Sequence, residues 1–165
     1  MRISRLLLTA NLLILLGGFS LPVHAADGNI KVKSIAEVET IVTGKDGKRE
    51  IKRSSPEKAV PGTEVIFTDT FENVGNKTAS DIVINNPIPA NTGYKAGSAF
   101  GKDCTILFSA DGGKTFSAAE NLKVKGEDGK EHTALPGQYT HIRWTYQGQL
   151  ASGKSGEVGF RAVIK

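Results

Sequence analysis

From Ile30 onward, apolar side chains recur at every second position. Val65, Phe67 and Phe71 share a row with Asp69, while Cys104, Ile106 and Phe108 share another with Thr105 and Leu107 between them. Ile142, Trp144 and Tyr146 alternate with His141, Arg143 and Thr145. Val158, Phe160, Ala162 and Ile164 alternate with Glu157, Gly159, Arg161 and Val163. A repeat of two sends alternate side chains to opposite faces of a pleated strand, so these runs predict strands with one buried face. After the N-terminal segment, no run keeps the three-and-four spacing of an amphipathic helix beyond three turns.

The punctuation agrees with strands. Asp46-Gly47-Lys48, Asp111-Gly112-Gly113-Lys114 and Asp128-Gly129-Lys130 interrupt strand-like runs, and Asp-Gly supplies the positive φ that tight hairpins require. Pro61-Gly62 precedes one run, Asn73 to Asn76 closes it, and Pro87-Ile88-Pro89 follows the next. The expected strands cover 30–33, 36–43, 49–53, 64–72, 80–86, 92–98, 104–109, 115–118, 120–126, 139–147 and 156–164. Many short strands at close spacing predict an all-β fold, an antiparallel β-sandwich, with no linker long enough to split it.

The first residues follow another rule. Arg2 and Arg5 precede an apolar run from Leu6 to Leu16, then Gly17, Gly18 and Pro22 break it before Val23-His24-Ala25. That order matches a secretory signal peptide cleaved after Ala25. A transmembrane anchor would need about 20 apolar residues without such breaks, and no Cys at the cleavage point offers a lipid attachment. The expected organisation is therefore a signal peptide over 1–25 and a single domain over 26–165. The protein is expected to be periplasmic or secreted, with no transmembrane anchor after cleavage.

Charge changes the picture little. The whole chain of 165 residues carries a net +4, and losing Arg2 and Arg5 with the signal halves it. The remaining charges are interspersed, whereas nucleic-acid binding needs a clustered basic face. That class is excluded. One Cys, Cys104, rules out an intramolecular disulfide framework.

Several pieces occur in a suggestive order. They begin with Val60-Pro61-Gly62-Thr63-Glu64-Val65-Ile66-Phe67, Asn73-Val74-Gly75-Asn76 and Asp81-Ile82-Val83-Ile84-Asn85-Asn86-Pro87-Ile88-Pro89. They continue with Tyr94, Gly97-Ser98-Ala99, the run Phe108 to Phe116, Tyr139-Thr140-His141-Ile142-Arg143-Trp144 and Gly153-Lys154-Ser155-Gly156. Over about 60–165 this order resembles a bacterial envelope family catalogued as domain of unknown function eleven, the conserved repeat domain of many surface proteins. The resemblance implies an immunoglobulin-like β-sandwich without an established catalytic site. Residues 26 to 59 fall outside its clearest part and are expected to add an N-terminal strand or hairpin.

Asp69 departs from the family pattern, which has an apolar strand residue there. Alternation would aim it at the core beside Phe67 and Phe71, and an unpaired buried carboxylate is costly. A bulge could turn Asp69 outward, its face could be open to solvent or a partner chain, or it could pair with a base such as Arg143. Exposure or a bulge is the favoured expectation, because a buried unpaired Asp is rare.

Candidate chemistry is sparse. Ser109-Ala110-Asp111-Gly112-Gly113-Lys114-Thr115-Phe116 resembles the Asp-box of sialidases and other propellers, but one such turn is better explained as a structural hairpin. Asp46, Asp111 and Asp128 lie in separate turns without calcium-loop spacing. His132 and His141 lack the further ligands of a zinc site. Cys104 sits in an apolar row, which suits a buried, inert thiol; its alternative is a disulfide between chains. Ser109, Ser152 and Ser155 sit in turns without a nucleophile elbow. Trp144 and Tyr146, on one face with Ile142, fit a core anchor better than a glycan platform. Asn76-Lys77-Thr78 fits the glycosylation acceptor pattern, for which chance is the stronger explanation. No catalytic residue, metal site or cofactor is expected.

Two functions of different class remain. The first is an exported, non-catalytic module that acts by contact with a protein or a cell-surface component, through an exposed strand edge or the loops at one end. Self-assembly is one form of it, with Ile30 to Val42 as the candidate edge or donated strand. The second is a carbohydrate-binding or glycan-modifying protein that would use exposed aromatics such as Tyr94 and Tyr139. Asp69, Tyr94 and Tyr139 are the candidate interaction residues.

Overall fold

The structure, a computed structural model, describes residues 23–26, 29–57 and 59–165. Of the expected signal peptide, residues 1–22 lie outside the described residues. The strands are β1 (Val23–Ala26), β2 (Ile30–Thr43), β3 (Arg49–Ser54), β4 (Glu64–Asn73), β5 (Ser80–Pro87) and β6 (Thr92–Tyr94). They continue with β7 (Phe100–Gly101), β8 (Cys104–Ser109), β9 (Lys123–Lys125), β10 (Glu131–Thr133), β11 (His141–Tyr146) and β12 (Ser155–Ile164).

The chain is almost all β, and its pairings are antiparallel. A four-stranded sheet runs β1-β5-β11-β8, and a six-stranded sheet runs β3-β2-β4-β12-β6 with β7 also on β12. β9 and β10 form a separate hairpin. The predicted alternation builds the interior between the two larger sheets. Ile82, Ile84, Ile142 and Trp144 come from one sheet; Phe71, Val158, Phe160 and Ala162 come from the other. Trp144 is fully buried, lies 6.3 Å from Phe160 between ring centroids, and its indole N–H donates to the Phe100 carbonyl at 3.0 Å. That bond satisfies the one polar atom of a large apolar side chain, whose burial is worth about 3 kcal/mol or more.

Gly159 is a packing position. A Cβ there would collide with the Phe67 carbonyl and the Phe100 ring, so its bare backbone lets the aromatic lie flat on β12.

The N-terminal addition is the hairpin β2–β3. It closes over Gly44–Lys48, where the Gly44 N–H donates to the Lys48 carbonyl at 2.8 Å and Gly47 takes φ of 78°. Residues Ile30 to Val38 pair with β4, while Val38 to Thr43 pair with β3. Among the described residues β2 thus bonds a neighbouring strand on one side only along most of its length, so the expected edge at Ile30 to Val42 keeps a free side up to Glu37, and β3 is the terminal strand of the sheet.

Other boundaries move for local reasons. The strands expected at 30–33 and 36–43 are one 14-residue strand, because the β4 register runs unbroken through Ser34 and Ile35. The strand expected at 92–98 stops at Tyr94, since the chain turns where Ser98 N–H bonds the Lys95 carbonyl and Gly97 takes φ of 71°. Of 115–118, only Ser117 bridges, to Phe108. Within 120–126 a short 3-10 turn, Ala119–Asn121, precedes β9. Another, Pro136–Gln138, delays the strand expected from 139 until His141.

β1 pairs with β5, Val23 opposite Ile84 and His24 opposite Val83. Ala25 packs against the core. Cleavage after Ala25 would therefore remove most of β1 and open that side of β5.

Candidate functional site

The most exposed apolar surface among the described residues with a regular geometry lies on the β2–β3 hairpin. Ile41 stands directly opposite Ile51, and they are 70% and 68% exposed. The symmetry is local: both lie five residues from Asp46 at the turn centre, so a hairpin closing there must set them side by side on one face. The whole of β3 is exposed, and it is the terminal strand of its sheet.

Beside this pair runs a band of ion pairs on the same outer face. Arg53 donates to Glu39 at 3.0 Å, and Arg161 on β12 donates to Glu39 at 2.9 Å and to Glu64 at 2.8 Å. Lys95 pairs with the other Glu64 oxygen. The hydrogen bond from Arg161 holds the Glu39 carboxyl below its ordinary range. Lys95, then Arg161, does the same for Glu64. These charges also roof Ile66, which is buried on the outer face between Glu37 and Arg161.

Asp69 is buried, 1% exposed, which corrects the expectation of exposure or a bulge. The ladder is regular on both sides, with Asp69 opposite Ser34 on β2 and Val158 on β12. Nor does Asp69 pair with Arg143, whose Nε donates to Asn85 at 2.7 Å and whose guanidinium stacks on Phe116. The partner is Asn86 from the opposite sheet, whose amide donates to Oδ2 at 2.6 Å. Oδ1 has no hydrogen-bond partner. Burial pushes the Asp69 carboxyl up, with Ser34 and Asn86 pulling the other way. This polar contact ties the two sheets together at a position that solvent does not reach.

Tyr94 and Tyr139 are also buried, at 7% and 8% exposure. Their rings stack on each other at 5.6 Å, and both pack against Phe108. The Tyr94 hydroxyl accepts the Ala99 N–H at 3.1 Å. They belong to the core, and the structure does not bring them together with Asp69 into one accessible site.

The Asp-box-like turn is a closed network. Asp111 accepts from Ser109 Oγ at 2.7 Å, from Thr115 Oγ1 at 2.7 Å, and from the Lys114 and Thr115 N–H groups at 3.0 Å. The Thr115 bonds, ahead of Ser109, hold its carboxyl well below the usual carboxylate range. Its lone pairs face its own loop. Cys104 is half-buried and lines an open depression with Asp103, Thr105, Gln147 and Gly148; burial, then the Asp103 charge, pushes its thiol up, away from the thiolate that reacts. Among the described residues no three His, Cys, Asp or Glu side chains gather as metal ligands, and no helix is long and apolar enough to cross a membrane.

No family model, curated protein or solved structure matches the chain. The hairpin face therefore stands on its geometry alone. Ile41 and Ile51 escaped the sequence reading, although a signal for them is present: Asp46-Gly47 marks the turn, and counting five residues either way from Asp46 reaches both.

Proposed function

We propose that the protein is an exported, non-catalytic β-sandwich of the bacterial cell envelope that acts by contact, with the β2–β3 hairpin as its contact surface. The observation that carries this reading is the Ile41–Ile51 pair, held in the open by the β2–β3 ladder. An exposed apolar pair rimmed by charged side chains is the usual composition of an interaction surface. The signal-like N-terminus supports export, and the order of motifs resembling the conserved repeat domain supports an envelope role and an immunoglobulin-like topology.

Export has a direct test. The full chain expressed in a Gram-negative host should be recovered by osmotic shock with Ala26 as its first residue. Recovery only in the cytosol with Met1 retained would contradict the reading. Contact is tested on the same preparation by Ile41→Asp with Ile51→Asp. The double variant should keep its thermal transition and lose association, because neither side chain supports the core.

A further inference from the structure

We propose that the contact partner is a second copy of this chain, joined through the open edge of β3 by a two-fold axis that passes beside Ile51. The proposal deepens the contact-acting reading and does not depend on export.

Backbone geometry selects the register. In an antiparallel pair, residues alternate between those whose N–H and C=O face the partner and those whose groups face away. The turn bond from Gly44 to Lys48 sets the phase of this hairpin. With Val42 opposite Glu50, Thr40 opposite Lys52 and Val38 opposite Ser54, it is Glu50, Lys52 and Ser54 that bond β2. Arg49, Ile51 and Arg53 then turn their N–H and C=O toward the open side. Among the described residues no further strand pairs there.

Two β3 edges related by a two-fold axis run antiparallel. Only outward-facing residues can bond across, so the one register that uses all three on each chain sets Ile51 against Ile51 of the second copy. Arg49 then lies against Arg53 of the second copy, twice. Every outward N–H and C=O of the strand finds a partner, which removes the cost of an edge left to water alone.

The side chains fit this register on both faces. On the outer face Ile41, Ile51 and the same two residues of the second copy form one apolar stripe four side chains wide. On the opposite face Glu50 meets Lys52 of the second copy, and symmetry repeats the pair. Arg49 meets an Arg53 whose charge is already matched in its own chain by Glu39 at 3.0 Å and Glu37 at 4.0 Å. Charged residues commonly guard an edge against pairing. Here the two residues that flank Ile51, Glu50 and Lys52, are complementary when the strand is reversed about it.

Sedimentation equilibrium of the purified protein tests the proposal. A concentration-dependent monomer–dimer equilibrium is expected. Glu50→Lys should weaken it about tenfold or more, since both symmetric ion pairs become repulsions. Adding Lys52→Glu to that variant reverses each pair and should restore most of the affinity. Ile51→Lys should also dissociate the dimer. All four positions of the stripe and both charges are exposed, and circular dichroism checks that each variant stays folded. A monomer up to millimolar concentration, or a dimer indifferent to these substitutions, overturns the proposal. Neither result bears on the N-terminus of the exported protein, so a failure here and a failure of export remain distinct.

Discussion

Asp69 sets the sharpest expectation at the scale of a single residue. Its carboxyl is held between sheets with one hydrogen bond and one empty oxygen, and burial raises its pKa above the ordinary 3.8. The folded protein therefore holds a proton there that the unfolded chain has released. Stability from this group falls as pH climbs from the ordinary value through the raised one, and stays low above it. Asp69→Asn removes the ionisation while its carbonyl still accepts the Asn86 amide. The variant should gain about 1–3 kcal/mol at pH 7, and the gain should shrink as pH falls through the folded pKa. Urea unfolding at pH 7 and pH 4 measures both. A loss of stability at pH 7 would show that the charge is satisfied. The sequence announces that Asp69 is out of place, but its partner lies 17 residues away on the other sheet, and no local pattern reveals Asn86. Tyr94 and Tyr139 misled for the same reason. Each follows a turn-rich stretch, and only the closing of the two sheets stacks one on the other.

At the scale of elements, period-two runs and Asp-Gly turns located the long strands β4, β5, β8, β11 and β12, because each is an alternation that only a half-buried strand satisfies. The short elements escaped. β7 has two residues and β10 three, too few for a period to register, and their place is set by β12 and β9. β1 has a different interest, since most of it precedes the expected cleavage point. Its loss would leave β5 paired on one side only. Hydrogen exchange should therefore quicken at the β5 amides that face β1 when a chain beginning at Ala26 replaces the uncleaved one, with β11 unchanged. Equal exchange in the two chains would mean that β1 contributes no protection.

For the whole molecule, the two sheets are unequal in width, and this asymmetry places the hairpin. The core needs β4, β12, β5 and β11. The far half of β2 and all of β3 extend beyond it, so their outer face is free to carry Ile41 and Ile51 without disturbing the interior. On the proposed reading the contact edge is part of a hydrogen-bonded sheet, so association would order little further backbone. Amide-resolved hydrogen exchange of the purified protein, recorded by NMR at low and high concentration, tests that claim most directly. Protection should grow with concentration at Arg49, Ile51 and Arg53, whose N–H groups face the open edge. It should stay constant at Glu50, Lys52 and Ser54, which already bond β2. Exchange at Arg49, Ile51 and Arg53 that ignores concentration would contradict the account.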